Sequence, residues 1–147
     1  MLDLKFFQKI DANVVAKYRK HIFDPDGNGQ YAKDVYGKKY KKYSEGYSKA
    51  KKTGKLTRQR TQFKDSTAPV LSGDLMNDFQ LRKTSGSGFS FGTVSWGSTA
   101  KFLADKGRII ANNKKPLPNN VSKYIMKEAD NYVTKELRKI KGGTINI

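Results

Sequence analysis

The chain has no cysteine, which excludes disulfides, thiolate nucleophiles and cysteine-based zinc sites. That absence suits a reducing compartment or a self-assembling particle. Histidine occurs once, as His21, beside Lys20 near the end of a helical segment, with no acid or nucleophile placed to use it. The thirteen Asp and Glu are scattered and no signature pairs two of them, so the expectation is a protein that is not an enzyme and needs no cofactor. No apolar run reaches the roughly 18 residues a membrane-spanning helix requires. The opening Met-Leu-Asp-Leu-Lys lacks the basic start and apolar core of a secretory signal, so use without export by that route, and without a membrane partner, is expected.

What the chain has is positive charge. Thirty Lys and Arg give a net +17 over 147 residues, a balance that favours polyanionic partners. The charge is concentrated. Lys33 to Lys64 holds twelve basic residues and two acids, Asp34 and Glu45, and so ten of the seventeen net charges. Seventeen aromatics, 12% of the chain, argue against wholesale disorder. The length fits one domain, residues 1–147, with a basic and partly extended arm over about 31–68.

Periodicity orders the elements. Phe7, Ile10, Val14, Tyr18 and Ile22 recur at three- and four-residue steps and predict a helix over 3–22. Asp24-Pro25-Asp26-Gly27-Asn28-Gly29 stops it with consecutive turn formers. Tyr36, Tyr40, Tyr43 and Tyr47 share one helical spacing, weakened by Gly37 and Gly46, and predict a short, marginal helix followed by an extended arm from Lys49 to Arg60. Alternation over 78–84 and 89–96, joined by Ser85-Gly86-Ser87-Gly88, predicts a β-hairpin. Ser98 to Asp105 reads as a helical turn closed by Lys106-Gly107. Pro118 opens a last helix whose apolar stripe runs Val121, Tyr124, Ile125, Ala129, Tyr132, Val133, Leu137 and Ile140, with Gly142-Gly143 ending it. The expected fold is α+β, with N- and C-terminal amphipathic helices on a small antiparallel sheet.

Two motifs suggest chemistry. Asp24, Asp26 and Asn28 match the first, third and fifth positions of an EF-hand loop, with Gly29 at the sixth. Position twelve is Val35 instead of Glu, so a plain turn rich in side-chain-to-backbone bonds is the better reading and no metal is expected. The glycines around Phe89 meet neither Walker nor dinucleotide spacing. The Tyr/Lys stretch carries the stronger signal. Lys38, Lys39, Lys41, Lys42, Lys51, Lys52, Lys55, Arg58 and Arg60 are dense enough to face a partner or DNA. For Tyr36, Tyr40, Tyr43 and Tyr47, stacking on bases and packing against the domain or a neighbouring subunit both fit, and packing is the expected role.

The order of features resembles a family of tailed-bacteriophage virion proteins, the virion morphogenesis, tail-completion or neck proteins. An amphipathic helix, an Asp-Gly turn and a Lys-rich loop precede Leu71-Ser72-Gly73-Asp74-Leu75. A hairpin then ends in Gly92-Thr93-Val94-Ser95-Trp96-Gly97-Ser98-Thr99-Ala100, and Gly107-Arg108 and Lys115-Pro116-Leu117-Pro118 lead into the final helix. Ala104-Asp105-Lys106 stands before Gly107 where members often carry His or Gln, and Lys115 to Pro118 replaces an Arg-Pro-Phe. The resemblance implies a structural subunit located in the virion and assembled in the host cytoplasm. It also implies partners: copies of itself in a ring, portal, connector or tail proteins, and DNA in the channel. Charge alone also fits a different protein, a free-standing basic nucleic-acid binder.

Overall fold

The computed structural model describes residues 2–142 apart from Thr57, Leu71, Val94 and Trp96. Leu71, Val94, Trp96 and Gly143 of the segments named above therefore lie outside the described residues.

Helix α1, Leu4–Phe23, starts where the Asp3 side chain accepts from the Phe6 amide at 3.0 Å, a cap that satisfies one of the helix's free donors. It ends at Asp24, in the left-handed region at φ 46°, whose amide bonds back to the Lys20 carbonyl. Phe6, Ile10, Val14, Tyr18 and Ile22 are all buried to 1% exposure or less. The buried face is thus rotated slightly from the expected one. Phe6 takes the inner position, while Phe7 lies half-buried at the flank with its ring edge-on to Phe89.

Strands β1, Phe79–Ser85, and β2, Gly88–Thr93, form the expected antiparallel hairpin around Gly86 and Ser87. The register slips between Leu81 and Lys83, leaving Arg82 as an extra residue in β1. Such a bulge increases local twist. The hairpin is fixed on α1 at both ends. Tyr18 stacks on Phe79 at 4.3 Å between ring centres, and Arg19 donates to the Phe79 carbonyl at 2.7 Å. At the far end Thr84 donates to Asp11 at 2.9 Å.

Helix α5, Asn119–Gly142, packs its first half on α1. Val121 is fully buried, the Phe6 and Tyr132 rings lie 5.2 Å apart, and the Tyr132 hydroxyl donates to Asp3 at 3.0 Å. The fold is α+β, with terminal helices packed against a small two-stranded sheet, as expected from the sequence. No described helix is long and apolar enough to cross a membrane.

The connection from Asp24 to Val70 differs from expectation. Tyr36 and Tyr40 lie in turn and extended chain, and the helix, α2, begins only at Glu45 and ends at Lys52. Ser44 caps it by accepting from the Tyr47 amide. Lys49, Lys51 and Lys52, expected in an extended arm, form its last turn, where positive charge suits the helix dipole. A single 3-10 turn, Thr61–Phe63, then buries Phe63. Short helices α3, Asp74–Asp78, and α4, Gly97–Asp105, flank the hairpin in sequence. Gly107, at φ 82°, closes α4.

The Asp24–Gly29 turn is held by its own backbone. Asp24 is buried, and its carboxylate accepts from the Tyr31 amide at 2.9 Å. Gly29 sits at φ 79°, where an added Cβ would fall 2.1 Å from the Ser66 hydroxyl. That hydroxyl donates to the Gly29 carbonyl and accepts from the Ala68 amide. Glycine is therefore required there both by conformation and by contact. Among the described residues no three His, Asp or Glu cluster to hold a metal.

Candidate partner-binding surface

The basic segment is tied to the body by tyrosine hydroxyls. Tyr40 is buried and donates to the Ile22 carbonyl at 3.1 Å, capping the end of α1. Tyr43 donates to the Ala68 carbonyl at 3.0 Å, and its ring lies 4.6 Å from that of Tyr47. Tyr36 is exposed and accepts from the Asn112 side chain at 3.0 Å. Tyr40 and Tyr43 thus bond the irregular chain before α2 to the body, and Tyr36 bonds at the surface. Tyr47 lies in α2 against Tyr43, so the four do not form one helical stripe. Burial raises the hydroxyl pKa of Tyr40, and of Tyr43, where the Arg108 charge opposes it.

The nine basic residues divide. Lys38, Lys39, Lys41, Lys42, Lys52 and Lys55 are exposed to solvent. Arg58 pairs with Asp74 at 3.1 Å, and the Arg60 guanidinium lies against Gly73 at the start of α3. Lys51 is buried to 1% exposure, with its ammonium donating to the Ser66 carbonyl at 2.6 Å. Burial, reinforced by the positive charge of Arg108 and opposed by Asp65, lowers its pKa to about 8.

Arg108 completes this group, and composition and periodicity did not single it out as a site residue. Its guanidinium is centred 3.8 Å from the middle of the Tyr43 ring, and the Lys51 ammonium lies 5.0 Å from the same ring. One tyrosine ring therefore contacts two buried cations. Arg108 donates to the Lys41 carbonyl at 2.6 Å, while its buried Nε has no hydrogen-bond partner. Among the described residues no carboxylate lies within ion-pair distance of Lys51 or Arg108. The signal for Arg108 was the Gly107-Arg108 pair; what no local pattern carries is its bond to Lys41, 67 residues away.

Beside these cations opens a cleft of about 740 Å³ between the start of α2, α3 and α4. Val70, Leu75, Met76, Phe102 and Leu103 supply apolar wall. Lys42, Arg58, Lys106 and Arg108 face it, against one carboxylate among the described residues, that of Asp74. Phe102 is 59% exposed although it is a large aromatic.

A second surface lies on α5. Residues of its stripe pack on the core only as far as Tyr132. Leu137 and Ile140 continue the same stripe but are each 44% exposed. At 1.5 Å per residue the helix runs about 15 Å beyond Tyr132.

No family model, no curated protein and no solved structure matches this chain. Its function must therefore be sought in these surfaces and in the order of motifs along the sequence.

Proposed function

We propose that this chain is a structural subunit of a tailed-phage virion, forming part of the neck, head–tail connector or tail-completion ring. The observation that carries the reading is the uncovered end of α5. Its stripe is continuous with the core, and docking on a second copy of the chain would cover Leu137 and Ile140. Exposed apolar side chains that continue a buried stripe favour an interaction partner, and self-association is the reading that the motif order supports. Lys38, Lys39, Lys41, Lys42, Lys52 and Lys55 then give each subunit a cationic face. Repeated around a ring, that face meets DNA in the channel or an acidic neck or tail protein. The motif order Leu71–Leu75, Gly92–Ala100, Gly107-Arg108 and Lys115–Pro118 supports the same assignment.

The test is the oligomeric state by mass photometry, alone and with DNA. Multimers are expected, and Leu137→Glu with Ile140→Glu should leave monomers that keep their helical circular dichroism. A wild-type chain that stays monomeric while binding duplex tightly overturns the ring. It would instead identify a free-standing nucleic-acid-binding protein, the reading that the six exposed lysines favour by themselves.

A further inference from the structure

Outside the α5 stripe, three features differ in what they need from a partner. The groove beside Phe7, Phe89 and Leu117 is apolar but carries no charge to say what covers it. The Asp24 turn satisfies its own carboxylate. The cleft between α2, α3 and α4 is different, because its charges are unbalanced and one of its cations is buried.

A buried cation without a counter-charge is costly, and the structures that retain one usually supply the missing anion. Arg108 lines the cleft at 7% exposure and has no carboxylate within ion-pair distance among the described residues. The ring of Tyr43 and the Lys41 carbonyl hold its guanidinium in place. Lys42 and Lys106 add exposed positive charge around the same cleft. Asp74 contributes little to neutralising this set, since it is already engaged by Arg58 and by the Ser72 hydroxyl at 2.8 Å. The walls, in contrast, are aliphatic and aromatic. A site that combines an apolar trough with a fixed arginine suits an occupant with an apolar side chain next to a carboxylate.

We propose that the cleft lined by Leu75, Met76, Phe102 and Arg108 docks an acidic segment of a partner protein, with an apolar side chain in the trough and a carboxylate toward Arg108. Charge complementarity selects this occupant. A second copy of the chain, at net +17, offers few acidic segments. Nucleic acid would satisfy the lysines, but its phosphates gain nothing from the aliphatic wall. The proposal does not depend on the α5 ring, because a monomer carries the complete cleft.

The experiment is fluorescence anisotropy with a short fluorescein-labelled peptide of alternating leucine and aspartate, at physiological salt. Two controls accompany it: the same peptide with serine for leucine, and an oligothymidylate of similar length. Phe102→Ala with Lys106→Glu changes two exposed residues of the cleft and leaves the core intact. It should weaken binding of the leucine–aspartate peptide by about tenfold, equivalent to about 1.4 kcal/mol. Lys52→Glu with Lys55→Glu removes the same kind of charge outside the cleft lining and should change it by less than about twofold. The serine peptide should bind at least about tenfold more weakly than the leucine peptide. Equal losses in both double variants would mean unspecific charge attraction and overturn the proposal. So would an oligothymidylate that competes for the cleft and is itself weakened by Phe102→Ala. Mass photometry of the same variants reads ring formation separately, so the two proposals fail independently.

Discussion

The helical body and the basic segment are held by different forces. Along α1, six side chains are almost wholly withdrawn from water, and the polar bonds to the hairpin and α5 sit around that face. Between Asp24 and Val70 the order is reversed. There a few buried groups (Val35, Tyr40, Phe63) accompany a set of side-chain bonds to main-chain carbonyls, from Tyr40, Tyr43, Lys51 and Ser66. The body is stabilised by area removed from water and the segment by polar groups that must each find one partner. Polar error therefore costs most in the segment, while volume error is resisted in both, as buried Phe63 and the Ser66 contact at Gly29 require.

Three variants test that contrast, in descending order of effect. Phe6→Ala removes a 1%-exposed ring that packs on Tyr132 and should cost about 3–5 kcal/mol, read from urea unfolding. A loss under about 1 kcal/mol would show that the body is not held by packing. Lys51 gives a pH-dependent test of the segment. In the folded chain its ammonium releases a proton near 8, against 10.5 as the ordinary value. Between those values the unfolded chain holds more protons, so stability rises with pH across the window. Compared with Lys51→Met, the wild type should therefore gain roughly 1–3 kcal/mol from about pH 7 to about pH 10, at 1.36 kcal/mol per pKa unit. Alkaline losses from the buried tyrosines are common to both proteins and cancel. A difference independent of pH would mean that Lys51 is in water. The smallest effect on stability belongs to Lys38, Lys39, Lys41 and Lys42 changed together to Gln, at roughly 0.5 kcal/mol or less. The same change should flatten the salt dependence of DNA binding, by up to about 0.9 in logarithmic slope for each phosphate no longer neutralised. An unaltered slope would assign that lysine face to protein partners.

The contrast also explains which elements were legible in the sequence. Both terminal helices announce themselves because apolar residues repeat along them with the period of their own backbone, and the hairpin through alternation interrupted by a Gly-rich turn. The face of α1 was slightly misplaced, since Phe6 and Phe7 are both apolar and only the position of α5 decides which goes inside. Tyr36, Tyr40, Tyr43 and Tyr47 mimicked a helical stripe for a different reason. The hydroxyls of the first three reach Asn112, Ile22 and Ala68, so their spacing records where the chain meets the body. Lys51 looked like one solvated lysine among many. Its burial is set by Ser66 and Arg108, and no window around Lys51 contains them both. The cleft was likewise hidden, because its walls come from segments as far apart as Lys42 and Arg108.

The junction of α1 with α5 sets the order of events during synthesis. Asp3 and Tyr132 share a hydrogen bond across 129 residues. At 5–20 residues per second the ribosome needs roughly 6–26 s to make the second partner after the first. Until Thr93 is made, Phe6 and its neighbours have neither the hairpin nor α5 to pack on, and from then until Tyr132 they have the hairpin alone. Helix α1, made before the elements that cover it, is thus fully covered only when α5 arrives, and its apolar face is what a chaperone would meet.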